Sequence, residues 1–191
     1  GPENAKRWIA SLSDEKLKSG AAGRLAGQLA KEDPRAAAEW ASSMGPEILK
    51  SSAGEIVQQW ADNDLPAALS WVESQSEEIV ASAGPSLVRE MIQNENVVAA
   101  SDWLANYEGN PAFDDSVKSL VWHSMGDEPA LAADWIMRLS TEDDQRNTFH
   151  RMIGRWMSKD EAGVVDYVNN NPVPEGIKQR VEMTLRRKNQ K

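Results

Sequence analysis

The stretch Lys31–Met44, KEDPRAAAEWASSM, decides how the chain is read. Near-copies return as NDLPAALSWVESQ from Asn63, NENVVAASDWLANY from Asn94 and GDEPALAADWIMRL from Gly126. Trp8, Trp40, Trp71, Trp103, Trp135 and then Tyr167 stand 32, 31, 32, 32 and 32 residues apart. Other columns keep the same step. Seven residues before the aromatic stand Asp33, Asp64, Asn96, Glu128 and Asp160; three before it stand Ala37, Ala68, Ala100, Ala132 and Val164. Such a period marks stacked supersecondary units.

Each column has a physical reading. Asp or Asn ahead of an Ala-rich run predicts a helix N-cap, whose side-chain oxygen accepts from the first free amides. Pro34 and Pro129 follow at the first helical position, where a missing N–H costs nothing. Columns −4, −3, 0, +1 and +4 around the aromatic share one helical face. Small residues at −4 and −3 let a neighbouring helix approach, and the aromatic fills the wider gap. This predicts Trp8, Trp40, Trp71, Trp103, Trp135 and Tyr167 in the core. Trp60 and Trp156, eleven residues before their aromatic, are expected to plug between units.

The first helix of a unit runs about 11 residues on this pattern. It ends at breaks such as Gly45-Pro46, Ser76, Gly109-Asn110-Pro111 and Ser140-Thr141. A longer second helix follows, with acids in its first turn (Asp14-Glu15, Glu77-Glu78, Glu142-Asp143) that suit the helix dipole. Gly20 to Gly27 fall inside this second-helix pattern, where small residues allow close packing. The expected architecture is all-α: a right-handed superhelix, or solenoid, of about five to six helix-turn-helix units with near-neighbour contacts. It forms one domain over 3–191, with units near 3–30, 33–61, 64–93, 96–125, 128–157 and 160–189. Gly1-Pro2 has the form of a scar left by tag removal and is set aside. The chain begins within a unit, which implies further chain upstream.

The run LAKEDPRAAAEW resembles the junction of tetratricopeptide repeats: Leu29, Asp33, Pro34 and Trp40 stand at matching positions, and Glu128, Pro129 and Trp135 do so more loosely. The step is about 32 rather than about 34 residues, and that family's Gly and Tyr after the Trp are absent. The chain is thus similar to that family without matching its consensus. The resemblance implies a superhelix that holds a peptide or partner protein on one face.

Composition narrows the function classes. The chain has 191 residues, no cysteine and a formal charge of −9. Disulfides, thiolate metal sites and cysteine nucleophiles are excluded. The acidic balance argues against nucleic acid and favours a basic or neutral protein partner. No apolar run of about 18 residues predicts a membrane span. His123 and His150 occupy different columns and form no metal-binding pair; no phosphate loop or catalytic triad is suggested, so no enzyme, cofactor or metal is expected.

Two candidate contact features remain. Glu39, Asp102, Asp134 and Asp166 directly precede the aromatic, with Ser70 breaking the series. On stacked units they form a ridge with a spacing of about 10 Å, able to receive a basic segment. The plainer reading is a solvated face with local pairs such as Asp134–Arg138. Trp122 lies outside the repeated aromatic columns. It is either an exposed anchor of the kind enriched at interfaces or a filler lying over Gly154 in the next unit. The leading expectation is a protein-binding scaffold; a spacer in a longer repeat protein and a non-catalytic part of an enzyme or its regulator are the alternatives.

Overall fold

The computed structural model describes residues 1–94 and 97–189. Among them the chain is all-α, with eleven α-helices, one short 3-10 turn and no strand. It comprises two compact units, Gly1–Ala100 and Ser101–Lys191. Asn96, expected to cap a first helix, lies outside the described residues.

The first unit holds α1 (Pro2–Ala10), α2 (Glu15–Ala30), α3 (Pro34–Ser43), α4 (Pro46–Glu73) and α5 (Glu77–Asn94); α6 (Val97–Ala105) carries the division between the units. Pro2 opens α1: a proline is well suited to a first helical position, and the Gly1 carbonyl accepts from Asn4 and Ala5. Asp14, Asp33 and Asp64 accept from the amides of Leu17, Ala36 and Ala67. At Asp64 the expected turn is condensed to a kink inside α4 (φ −152°, ψ 80°), so the second helix of one unit runs into the first helix of the next. Gly45, at φ +111°, supplies the left-handed turn that releases the chain into Pro46.

The packing of this unit centres on α2, α4 and α5. α4 lies against both others. A Cβ on Gly27 would stand 3.1 Å from Glu55 Cβ, tighter than an ordinary contact, whereas one on Gly54 would meet Ser86 Oγ at an ordinary 3.4 Å. The Ser82 hydroxyl donates to the Lys50 carbonyl at 2.6 Å across α4 and α5. Ile56, Val57, Leu87 and Val88 are fully enclosed; each contributes about 1.5–3 kcal/mol by leaving water.

The second unit holds the turn Pro111–Phe113, α7 (Asp114–Ser124), α8 (Pro129–Ile136), α9 (Glu142–Lys159), α10 (Glu161–Asn170) and α11 (Glu175–Asn189). α9 is its organising helix and packs on α8, α10 and α11. Thr141 caps α9 through the Asp144 amide, and Asp160 caps α10 through Gly163. Glu128 occupies the corresponding position before α8 but makes no side-chain cap; its extra methylene removes the short reach that makes Asp effective there. The Gln145 amide donates to the Met137 and Leu139 carbonyls, which closes the end of α8 onto α9. Phe113, Leu120, Trp135, Ile136 and Met152 are enclosed.

Candidate functional site

The repeated aromatics occupy three different environments. Trp103, Trp135, Tyr167, Trp60 and Trp156 are buried. Trp40 is half-buried against Ile9, Ala22 and Ile48. Trp71 is half-buried too, its ring 5.8 Å from that of Trp60. Trp8, expected in the core, is instead 54% exposed. The reason lies in how the column is used. Trp135 Nε1 donates to Ser101 Oγ at 2.6 Å, and Tyr167 Oη donates to Asp134 at 2.8 Å. Each ring reaches back to the residue one or two places before the preceding aromatic. Among the described residues no earlier unit offers Trp8 such a partner, and α1 buries Ile9 alone.

In the first unit, the space between α3 and the last turns of α4 is an open groove of about 840 Å³. Trp60, Trp71 and Leu49 contribute its apolar lining; Glu39, Ser42 and Ser70 are among its polar groups. The Ser43 and Ser74 hydroxyls turn back onto the carbonyls of Trp40 and Trp71. Arg35, one helical turn before Glu39, also lines the groove. Glu39 is exposed and has no hydrogen-bond or ion-pair partner among the described residues.

The remaining acids of the series lie in the second unit, and their states differ. Asp102 is exposed and likewise without a partner among the described residues. Asp166 accepts from the Asn170 side chain at 2.8 Å. Asp134 is the acceptor for Tyr167, and not the partner of Arg138 as its spacing suggested. Arg138 pairs with Glu108 at 3.6 Å, and its guanidinium lies 4.5 Å from the centre of the Trp135 ring. Burial and the hydrogen bond to Asp134 hold the Tyr167 hydroxyl above its ordinary value. It therefore remains a donor through neutral and mildly basic pH.

Trp122 is 40% exposed. No atom stands within 4 Å of where a Gly154 Cβ would be, so the ring does not lie over that glycine as the filler reading required. Glu90 shares the Trp122 column, which the pattern marks as a surface column, yet it is buried with Arg89 Nε 3.3 Å away. The adjacent guanidinium was the available clue, though spacing alone does not distinguish a buried pair from an exposed one.

The histidines do not converge. His123 Nδ1 sits 2.7 Å from the Ser119 carbonyl. Partial burial, and then the nearby Arg180 charge, hold His150 below its ordinary value. Among the described residues no group of three His, Asp or Glu side chains could hold a metal ion, and no helix is long and apolar enough to cross a membrane.

The fold class is thus all-α, and the groove between α3 and α4 carries an aromatic floor with a carboxylate, Glu39, that has no partner among the described residues. Comparison with known proteins adds no relative: no protein-family model, curated protein or solved structure matches this chain.

Proposed function

We propose that the chain is a protein-binding scaffold: a tetratricopeptide-like array of stacked helix pairs that holds a peptide segment of a partner along its first-helix face. The groove between α3 and α4 carries this reading. Its volume of about 840 Å³ lies within the usual range of ligand sites, about 300–1,000 Å³. It is open to solvent along its length, which suits an extended segment better than an enclosed small molecule. Trp71 and Trp60 offer apolar area, while Ser42 and Ser70 offer hydroxyls to a peptide backbone. Glu39 selects a basic side chain near Trp71 and disfavours an acidic one. The recurring cap conformation at Asp33, Asp64 and Asp160 supports the stacked-unit part of the reading: φ and ψ are −146° and 93°, −152° and 80°, and −151° and 83°.

A random peptide library selected against the full chain tests the proposal. Enriched peptides should carry Lys or Arg beside an apolar residue. Their affinity should fall about tenfold or more, 1.4 kcal/mol, in Glu39→Lys. Trp71→Ala should weaken them as well. Selection of no basic peptide, or of basic peptides indifferent to both substitutions, overturns the assignment.

A further inference from the structure

A second surface lies on the helices α7, α9 and α11, and its chemistry is opposite to that of the groove. α7 and α9 are tied at both ends: Lys118 Nζ stands 3.1 Å from Asp144 Oδ1, and Lys159 Nζ donates to the Gly126 carbonyl at 2.9 Å. Trp122 lies one turn beyond Lys118 and one turn before Gly126, between the two positions bonded to α9. On α9, Arg151 and Arg155 stand seven and eleven residues after Asp144, which places them on the stripe that meets α7. Both arginines are exposed, and neither has an ion-pair partner among the described residues.

The other flank of α9 is set by α11. A Cβ on Gly176 would stand 3.1 Å from Arg146 Cδ, which brings the first turn of α11 beside the first turns of α9. Met183 and Arg187 follow Gly176 at seven and eleven residues, on the same stripe of α11. Met183 is 46% exposed. Arg187 is exposed and also has no ion-pair partner among the described residues. Gly154, on the outer side of α9, leaves open space where a side chain would stand. The face therefore carries two exposed apolar side chains and three exposed guanidinium groups without ion-pair partners among the described residues, on a chain whose formal charge is −9.

We propose that this face docks an acidic, partly apolar segment of a partner protein: its carboxylates pair with Arg151, Arg155 and Arg187, and its apolar side chains cover Trp122 and Met183. Charge complementarity selects the occupant. Guanidinium forks match carboxylates two bonds at a time. A tryptophan beside arginines is the residue set that anchors protein interfaces. A long polyphosphate meets repulsion from the acidic remainder of the chain, whereas a short acidic segment brings few charges with it. This surface uses residues and helices distinct from the α3–α4 groove, so either assignment can fail without the other.

The test is fluorescence anisotropy on the full chain with three labelled probes: a peptide of Glu and Asp interspersed with Leu and Phe, the same peptide with Ser for each apolar residue, and oligouridylate of equal charge. The first peptide should bind, more weakly as salt rises. Its affinity should fall about tenfold or more in Arg151→Glu/Arg155→Glu and in Trp122→Ala, and the serine peptide should bind less well. Far-UV circular dichroism checks that these exposed substitutions leave the helices intact, and Arg151→Lys/Arg155→Lys provides a charge-conserving second variant, expected to retain part of the binding. The proposal is overturned if the first peptide does not bind, if its binding is indifferent to these variants, or if oligouridylate binds more tightly with the same arginine dependence.

Discussion

At the scale of the residue, one sequence column yields side chains of very different worth. Trp135 is 1% exposed and has its indole N–H satisfied by Ser101. Trp135→Ala removes a large enclosed side chain and strands the Ser101 hydroxyl, so it should cost about 3–5 kcal/mol. Trp8→Ala, at a position 54% exposed, should stay within about 0.5 kcal/mol. Urea denaturation of the two variants measures the contrast, and equal losses would refute the division of the column. Asp144 adds a pH dependence. Its hydrogen bonds to Lys118 and then Thr141 hold the carboxyl below its ordinary value in the folded chain. A carboxyl lowered by folding contributes stability that is present above its unfolded value of about 3.9 and is lost as pH falls through the folded value. The stability difference between the parent chain and Asp144→Asn should therefore be greatest near neutral pH and shrink on acidification. A difference that grows in acid would reverse the assignment.

At the scale of the element, glycines in one helix separate contact from solvent. A Cβ at Gly27 of α2 would stand 3.1 Å from Glu55 Cβ, so that neighbour would have to shift, whereas nothing stands within 4 Å of a Cβ at Gly20 in the same helix. Gly20→Ala should stabilise by about 0.5–1 kcal/mol through helix propensity alone. Gly27→Leu should destabilise by about 1–3 kcal/mol by forcing α2 from α4; thermal melts that rank the two variants in the other order would show that α2 and α4 do not pack at Gly27. Helix positions were legible in the sequence because caps act locally: Asp33, Asp64 and Asp160 each bond an amide three residues on. The kink at Asp64 was not legible, because a cap motif does not say whether the chain pauses before it. Glu39 and Asp102 stood out as acids of one column. The role of Asp134 as acceptor for Tyr167 did not, since it depends on a ring 33 residues away. The arginines of α9 and α11 belong to no repeated column, and only the contacts Lys118–Asp144 and Gly176–Arg146 show that their helices lie near one another.

At the scale of the whole molecule, charge is distributed unevenly in kind as well as number. A formal charge of −9 opposes compaction, yet Arg151, Arg155 and Arg187 of the second unit stand exposed with no ion-pair partner among the described residues. Some of the ion pairs join exposed side chains, such as Arg146–Asp143 and Arg186–Glu182. Such pairs are worth about 0–1 kcal/mol each and weaken in salt. Raising ionic strength from about 0.01 M to 0.1 M shortens the screening length from about 30 Å to about 10 Å. Salt therefore weakens two opposing terms: repulsion summed over the chain, and attraction within short exposed pairs. Repulsion between distant carboxylates extends beyond about 10 Å and is largely removed, while pairs at contact distance keep more of their attraction. The net result should be stabilisation, with a rise of about 2–4 °C in Tm for each kcal/mol of repulsion relieved. Arg151→Glu/Arg155→Glu changes the charge from −9 to −13, since two residues each change by two, and should steepen that rise. A Tm that falls with salt in the parent chain, or a slope unchanged in the variant, would mean that local pairs and not the summed charge govern the electrostatics of this fold.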